Sequence, residues 1–220
     1  AMNNTLHTDT GGALVLSYLD LRKAVGLIGL LLPFVLALGK LLLEGPGLLS
    51  SVSAYHHTVM GDVFVGSMCA MAVFFVSYRG YEDKDALAGD LACLFALGIA
   101  LFPVAPQPAP SASQQMIGAV HLVSAVCFFL TLAYFSLVLF RKTDPSREPT
   151  PRKLLRNRVY TVCGYAILIC LALAVLTKLL RWDHMYPQLA PVFWLEASAI
   201  VAFGLSWFVK GEGILEDVSH

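Results

Sequence analysis

The sequence predicts an all-α polytopic membrane protein, a bundle of six transmembrane helices with both termini cytoplasmic. Three observations carry that prediction. Of the 220 residues, 57% are hydrophobic and only 14% are charged, against about 25% charged in an average soluble chain. The mean hydropathy is +0.70, more apolar character than a soluble core of this size absorbs, so the bilayer serves as the solvent. The apolar residues also fall into six runs, each near the roughly 20 residues that a membrane helix needs, separated by segments with turn chemistry.

The first span covers residues 22–43 and stops at Gly45-Pro46-Gly47. Residues 13–23, "ALVLSYLDLRK", mix apolar and charged positions and fit either a short interfacial helix or an extension of that span. The second span, 60–78, is divided from the third, 87–104, by the polar "RGYEDKD". The third stops at "PVAPQPAPSAS", because proline has no N–H to give a helix and its ring clashes with the preceding turn. The fourth, 117–140, runs into "RKTDPSREPTPRKLLRNR", which is polar and broken by prolines. The fifth, 159–180, ends in "RWDHMYPQLAP", and the sixth covers 190–209. Short connections make neighbouring spans antiparallel, so residues 1–220 read as one transmembrane domain. Five cysteines lie inside apolar runs without a CxxC spacing, which suits small apolar packing residues rather than disulfides or a zinc knuckle.

Orientation follows from Lys and Arg placement. With the N-terminus inside, twelve basic residues are cytoplasmic: Arg22, Lys23, Arg79, Lys84, Arg141, Lys142, Arg147, Arg152, Lys153, Arg156, Arg158 and Lys210. Only Lys40, Lys178 and Arg181 fall outside. The inner loop 141–158 has seven basic residues against two acidic ones. It is placed to attract anionic lipid headgroups, at about 1 kcal/mol per charge near the surface. The formal net charge of the chain is zero, which argues against nucleic acid as a partner.

Polar residues interrupt the apolar pattern mainly on the outer side. "SAYHHTVMGD", residues 53–62, puts Ser53, His56, His57 and Asp62 at the outer entry to the second span. His121 lies about one turn into the fourth span, Asp183 and His184 lie in the last outer loop, and Glu196 lies within the sixth span. Five residues into a helix is roughly 8 Å at 1.5 Å per residue. A carboxylate there costs a few kcal/mol to insert, so Glu196 is expected to face the bundle interior with a partner. His56 or His57, Asp62, His121 and Glu196 are expected to converge in one outward-facing pocket. Each also has a plainer reading. Asp62 suits the positive end of a helix dipole, His121 suits a packed interface, and His184, beside Trp182 and Tyr186, suits an interfacial aromatic belt.

Six strings, "SVSAYHHT", "GDVFVG", "FALGIALFP", "LTLAYFSLVLF", "RNRVYTVCG" and "FWLEASAIVAFGLSWFVKG", resemble a group of bacterial six-span integral membrane proteins with no assigned activity. They cover most of the chain in order, and the resemblance implies a multi-pass protein of the bacterial inner membrane. Ser53, His57, Asp62, His121 and His184 more weakly resemble the Ser/Asp/three-His zinc constellation of the alkaline ceramidase and PAQR-like membrane hydrolases. Those families have seven spans and an HxxxH on the last helix, and this chain has no HxxxH.

Three function classes follow. The first is a metal-dependent membrane hydrolase acting on a lipid amide or ester. Its zinc would be held by His57, His121 and His184, with His56 able to replace His57, and an open position would bind a water whose pKa falls to about 7. Asp62 would ligate or orient, Ser53 would complete the catalytic set, and Glu196 would be the general base. The second is a small-molecule binding or transport protein in which Glu196 and His121 form a proton-linked pair lining a pocket. The third is a structural membrane protein whose polar cluster serves helix packing.

Overall fold

The computed structural model describes residues 6–78, 83–106, 108–143 and 150–214. No strand occurs among the described residues. The helices are α1 (Leu6–Glu44), α2 (Gly61–Val76), α3 (Asp83–Leu101), α4 (Ala112–Tyr134), α5 (Pro151–Leu179), the short α6 (Trp182–Met185) and α7 (Pro191–Lys210). The segment 13–23 lies within α1, so it extends the first span and is not a separate interfacial helix.

Four helical segments are long and apolar enough to cross a membrane: Leu19–Glu44, Ala112–Leu139, Pro151–Leu179 and Pro187–Lys210. The other two expected spans are shaped differently. α2 has 16 residues, about 24 Å at 1.5 Å per residue. α3 carries Asp83, Lys84, Asp85 and Asp90 within 19 residues. Asp85 is 1% exposed and pairs with Lys142 at 2.6 Å, tying the start of α3 to the segment after α4.

Local chemistry sets several helix ends. Ser111 caps α4 through a reciprocal box: its hydroxyl accepts the Gln114 N–H at 3.3 Å, and the Gln114 side chain accepts the Ser111 N–H at 2.8 Å. Such a box satisfies two donors that a helix start would otherwise leave open. Thr150 accepts the Lys153 N–H at 3.1 Å at the head of α5, and Pro151 fills the first helical position, where a missing N–H does no harm. α4 ends in a π turn, Phe135–Leu139, and the Ser136 hydroxyl there lies 2.9 Å from that of Ser206 on α7.

The helices close into a ring. α1 packs on α2 and α7, α2 on α3, α3 on α4, α4 on α5, and α5 on α7. At the α1–α7 seam the two backbones come close, and glycine makes this possible. A Cβ on Gly204 would lie 2.5 Å from the Leu30 nitrogen and 2.8 Å from the Gly26 oxygen; only a residue without a side chain lets two backbones come so near. Inside the ring at that end, Phe75, Phe135, Phe140, Phe203 and Trp207 form one aromatic core, with Phe75–Trp207 at 5.4 Å and Phe140–Trp207 at 5.2 Å, both edge to face. The opposite end gathers the C-termini of α1, α3 and α5 with the N-termini of α2, α4 and α7. The outer polar residues lie there.

Candidate functional site in the outer end of the ring

The loop between α1 and α2 folds into the bundle. Residues Ser53–His57 make one 3-10 turn, with Val52 1% and Tyr55 0% exposed. Tyr55 packs on Phe193 of α7 with ring centroids 5.9 Å apart, and burial pushes its phenol pKa up. A backbone turn drawn inside must satisfy its N–H groups. Glu196 does this from the far end of the sequence: its Oε2 accepts the Val52 N–H at 2.8 Å and the Ser53 N–H at 3.4 Å. This is N-capping by a carboxylate in trans. Ser53, expected in the catalytic set, meets Glu196 through its backbone.

The histidines gather around a different feature, the end of α3. A helix leaves its last carbonyls without intrahelical donors, and in a bilayer such groups need partners within the protein. Pro103 and Pro106 follow immediately and have no N–H to offer. His56 Nε2 lies 3.2 Å from the Ala100 oxygen, His57 Nε2 2.7 Å from the Val104 oxygen, and His121 Nδ1 2.7 Å from the Phe102 oxygen. A carbonyl only accepts, so each of these nitrogens carries a proton. Three imidazoles from two elements thus stitch the end of α3 to the inserted loop and to α4. His121 is 3% exposed, and its Nε2 has no hydrogen-bond partner among the described residues.

The expected single pocket is therefore divided. The inserted loop gives Val52 and Ser53 to Glu196 and gives His56 and His57 to the end of α3. Asp62 is exposed in the first turn of α2, where the helix dipole favours a carboxylate. His184 lies on α6, 3.9 Å from Asp183 and well exposed. Among the described residues no group of three or more His, Cys, Asp or Glu side chains is placed to hold one metal ion.

A second environment of Glu196 was not legible in the sequence. Glu196 lines a groove of about 280 Å³ between α4, α5 and α7, walled by apolar residues including Leu122, Ala125, Phe129, Ala174 and Leu195. Lys178 also lines it and acts electrostatically on Glu196. Lys178 in turn pairs with Asp183 at 2.7 Å. Burial alone would push the Asp183 carboxyl up, but the bond and charge of Lys178, with His184, hold it below its usual range. Glu196 Oε1 has no hydrogen-bond partner among the described residues. Sequence reading assigned Lys178 only to topology; its spacing of five from Asp183 at a helix end was the available signal. No protein-family model matches the chain, nor does any curated protein or solved structure.

Proposed function

We propose that this chain is a six-span protein of the bacterial inner membrane, with both termini cytoplasmic, that binds an amphiphile in the groove between α4, α5 and α7. One observation carries the binding reading: a carboxylate with one oxygen committed to the inserted loop lines a groove whose other walls are apolar but for Lys178 at its edge. Ligand sites combine apolar walls with a few placed polar groups in just this proportion, and their volumes begin near 300 Å³. The hydrocarbon tail lies along Leu122, Ala125, Phe129 and Ala174. A head group that donates hydrogen bonds, an amine above all, meets Glu196 Oε1. The six-span reading is supported by the excess of Lys and Arg on one side and by the ring, in which α2 and α3 are lined by neighbours that compensate for short length and charge.

A photoreactive long-chain amine and the matching fatty acid test this in proteoliposomes. Crosslinking to wild type is expected to favour the amine, and Glu196→Gln is expected to lose that preference. Ala125→Trp and Ala174→Trp, which fill the groove, are expected to lower labelling about tenfold. Equal labelling of the wild type and both tryptophan variants would exclude the groove as the site.

A further inference from the structure

Behind the groove, inside the ring, lies a smaller cavity of about 40 Å³. Leu32 of α1, Met68 and Met71 of α2, Ile99 of α3 and Leu132 of α4 line it, together with Val52 and Ser53 of the inserted loop. Three residues border both this cavity and the groove: Ala125, Phe129 and Glu196. They form the partition between the groove and the ring interior.

The three differ in what they contribute. Glu196 is tied by its Oε2 to the Val52 and Ser53 N–H groups. Ala125 ends at a methyl group. Phe129 is half-buried and carries a ring that meets Phe128 edge to face at 6.3 Å. The bulk of the partition is therefore the Phe129 ring. Beyond it, Met68 and Met71 are unbranched side chains with three rotatable bonds, which repack around irregular shapes. A cavity with such apolar walls accepts hydrocarbon rather than water.

The direction of the groove brings a ligand to this ring. Lys178 and Cys170 both line the groove, and Lys178 stands in the last turn of α5. Cys170 is about two turns before it, roughly 12 Å at 1.5 Å per residue. The polar end of the groove is thus the outer one, and Phe129, Cys170 and Ala199 line its deep end. A chain whose head group meets Glu196 runs inward and comes up against Phe129.

We infer that Phe129 is a specificity-determining residue of the groove: it bars the hydrocarbon chain from the ring interior and so makes the protein discriminate amphiphilic amines by chain length. This rests on the binding proposed for the groove.

The test is competition for crosslinking of the photoreactive amine in proteoliposomes, with octylamine and hexadecylamine as competitors. The ratio of variant to wild type at each chain length cancels partition into the bilayer. Phe129→Ala is expected to strengthen competition by hexadecylamine about tenfold and by octylamine much less. Tenfold is equivalent to about 1.4 kcal/mol, which two further buried methylenes supply at about 0.8 kcal/mol each. Leu171→Ala widens the groove from α5 at a residue that does not border the interior cavity, and it is expected to act alike on both competitors. The same length dependence in Leu171→Ala would show simple widening and overturn the partition. An unchanged length profile in Phe129→Ala, with the wild-type preference for the amine intact, would refute this inference and leave the groove standing. Loss of that preference in the wild type would refute the groove itself. Should Phe129→Ala fail to fold, Phe129→Leu keeps most of the packing and is expected to shift the profile part of the way; no shift would refute the inference.

Discussion

Glu196 and His121 show what a polar side chain does inside an apolar bundle. Both answer backbone groups that their neighbours leave open: Glu196 the N–H groups of Val52 and Ser53, His121 the oxygen of Phe102. Hydrogen bonds to charged groups contribute about 1.5–3 kcal/mol, and an orphaned buried partner costs about 1–3 kcal/mol. Glu196→Ala is therefore expected to destabilise by about 2 kcal/mol, and Glu196→Gln by less, because an amide oxygen still accepts. Denaturation in mild detergent measures both, and equal losses would contradict the capping role. His121→Ala is expected to cost about 1–3 kcal/mol by leaving a buried carbonyl unpaired. His121→Gln, with a donor of similar reach, recovers part of it. If metal ligation were the role of His121, chelator would lower the wild-type Tm to that of His121→Ala, and no such change is expected.

At the scale of elements, glycine decides how closely α1 and α7 approach. Gly204 faces the α1 backbone near Gly26 and Gly29, with Gly29 itself 3.0 Å from the Gly204 Cα when given a Cβ. Gly204→Ala must separate the two helices, and it is expected to lower stability by about 1–3 kcal/mol, the range for overpacking a tight contact. Gly66, whose added Cβ would meet nothing within 4 Å, is the matched control. Gly66→Ala is expected to be neutral or slightly stabilising, since alanine is the better helix former by about 1 kcal/mol. Comparable Tm losses for the two would deny the seam its special closeness. The same scale explains the histidines: α3 ends just before Pro103, and the carbonyls of Ala100 in its last turn and of Phe102 and Val104 beyond it recruit donors from the loop before α2 and from α4.

For the whole molecule, the ring places the C-terminal ends of α1, α3 and α5 at one end and Lys210, the last residue of α7, at the other. In the proposed orientation the Lys210 end faces the cytoplasm. A single cysteine introduced at Pro110, in an otherwise cysteine-free background, is expected to react with an impermeant maleimide added from outside to intact cells. A cysteine at Arg158 is expected to react only after permeabilisation. The reverse pattern would invert the membrane orientation and with it the leaflet of the proposed groove.

Composition and periodicity by themselves determined the class of protein, the helical content and the places where helices stop, because the bilayer imposes a length and an apolar character that any reader of residues detects. Pro103 and Gly45 marked boundaries for the same reason: their effect is local, whereas the charges of 141–158 did not, since α5 begins at Pro151 within that segment. The sequence also singled out Glu196, since a lone carboxylate in "VFWLEASAIVAFG" has a cost that demands a partner. Only the tertiary structure decided which partner. The Val52 N–H is 144 residues away, and backbone amides and carbonyls carry no mark in a sequence. His56, His57 and His121 looked like ligands for the same reason. Their side chains are visible in the sequence, whereas the Ala100, Phe102 and Val104 carbonyls they bond become evident only when the chain has folded. The groove is likewise a product of packing: it draws on three helices, and no spacing along the chain encodes which helices become neighbours.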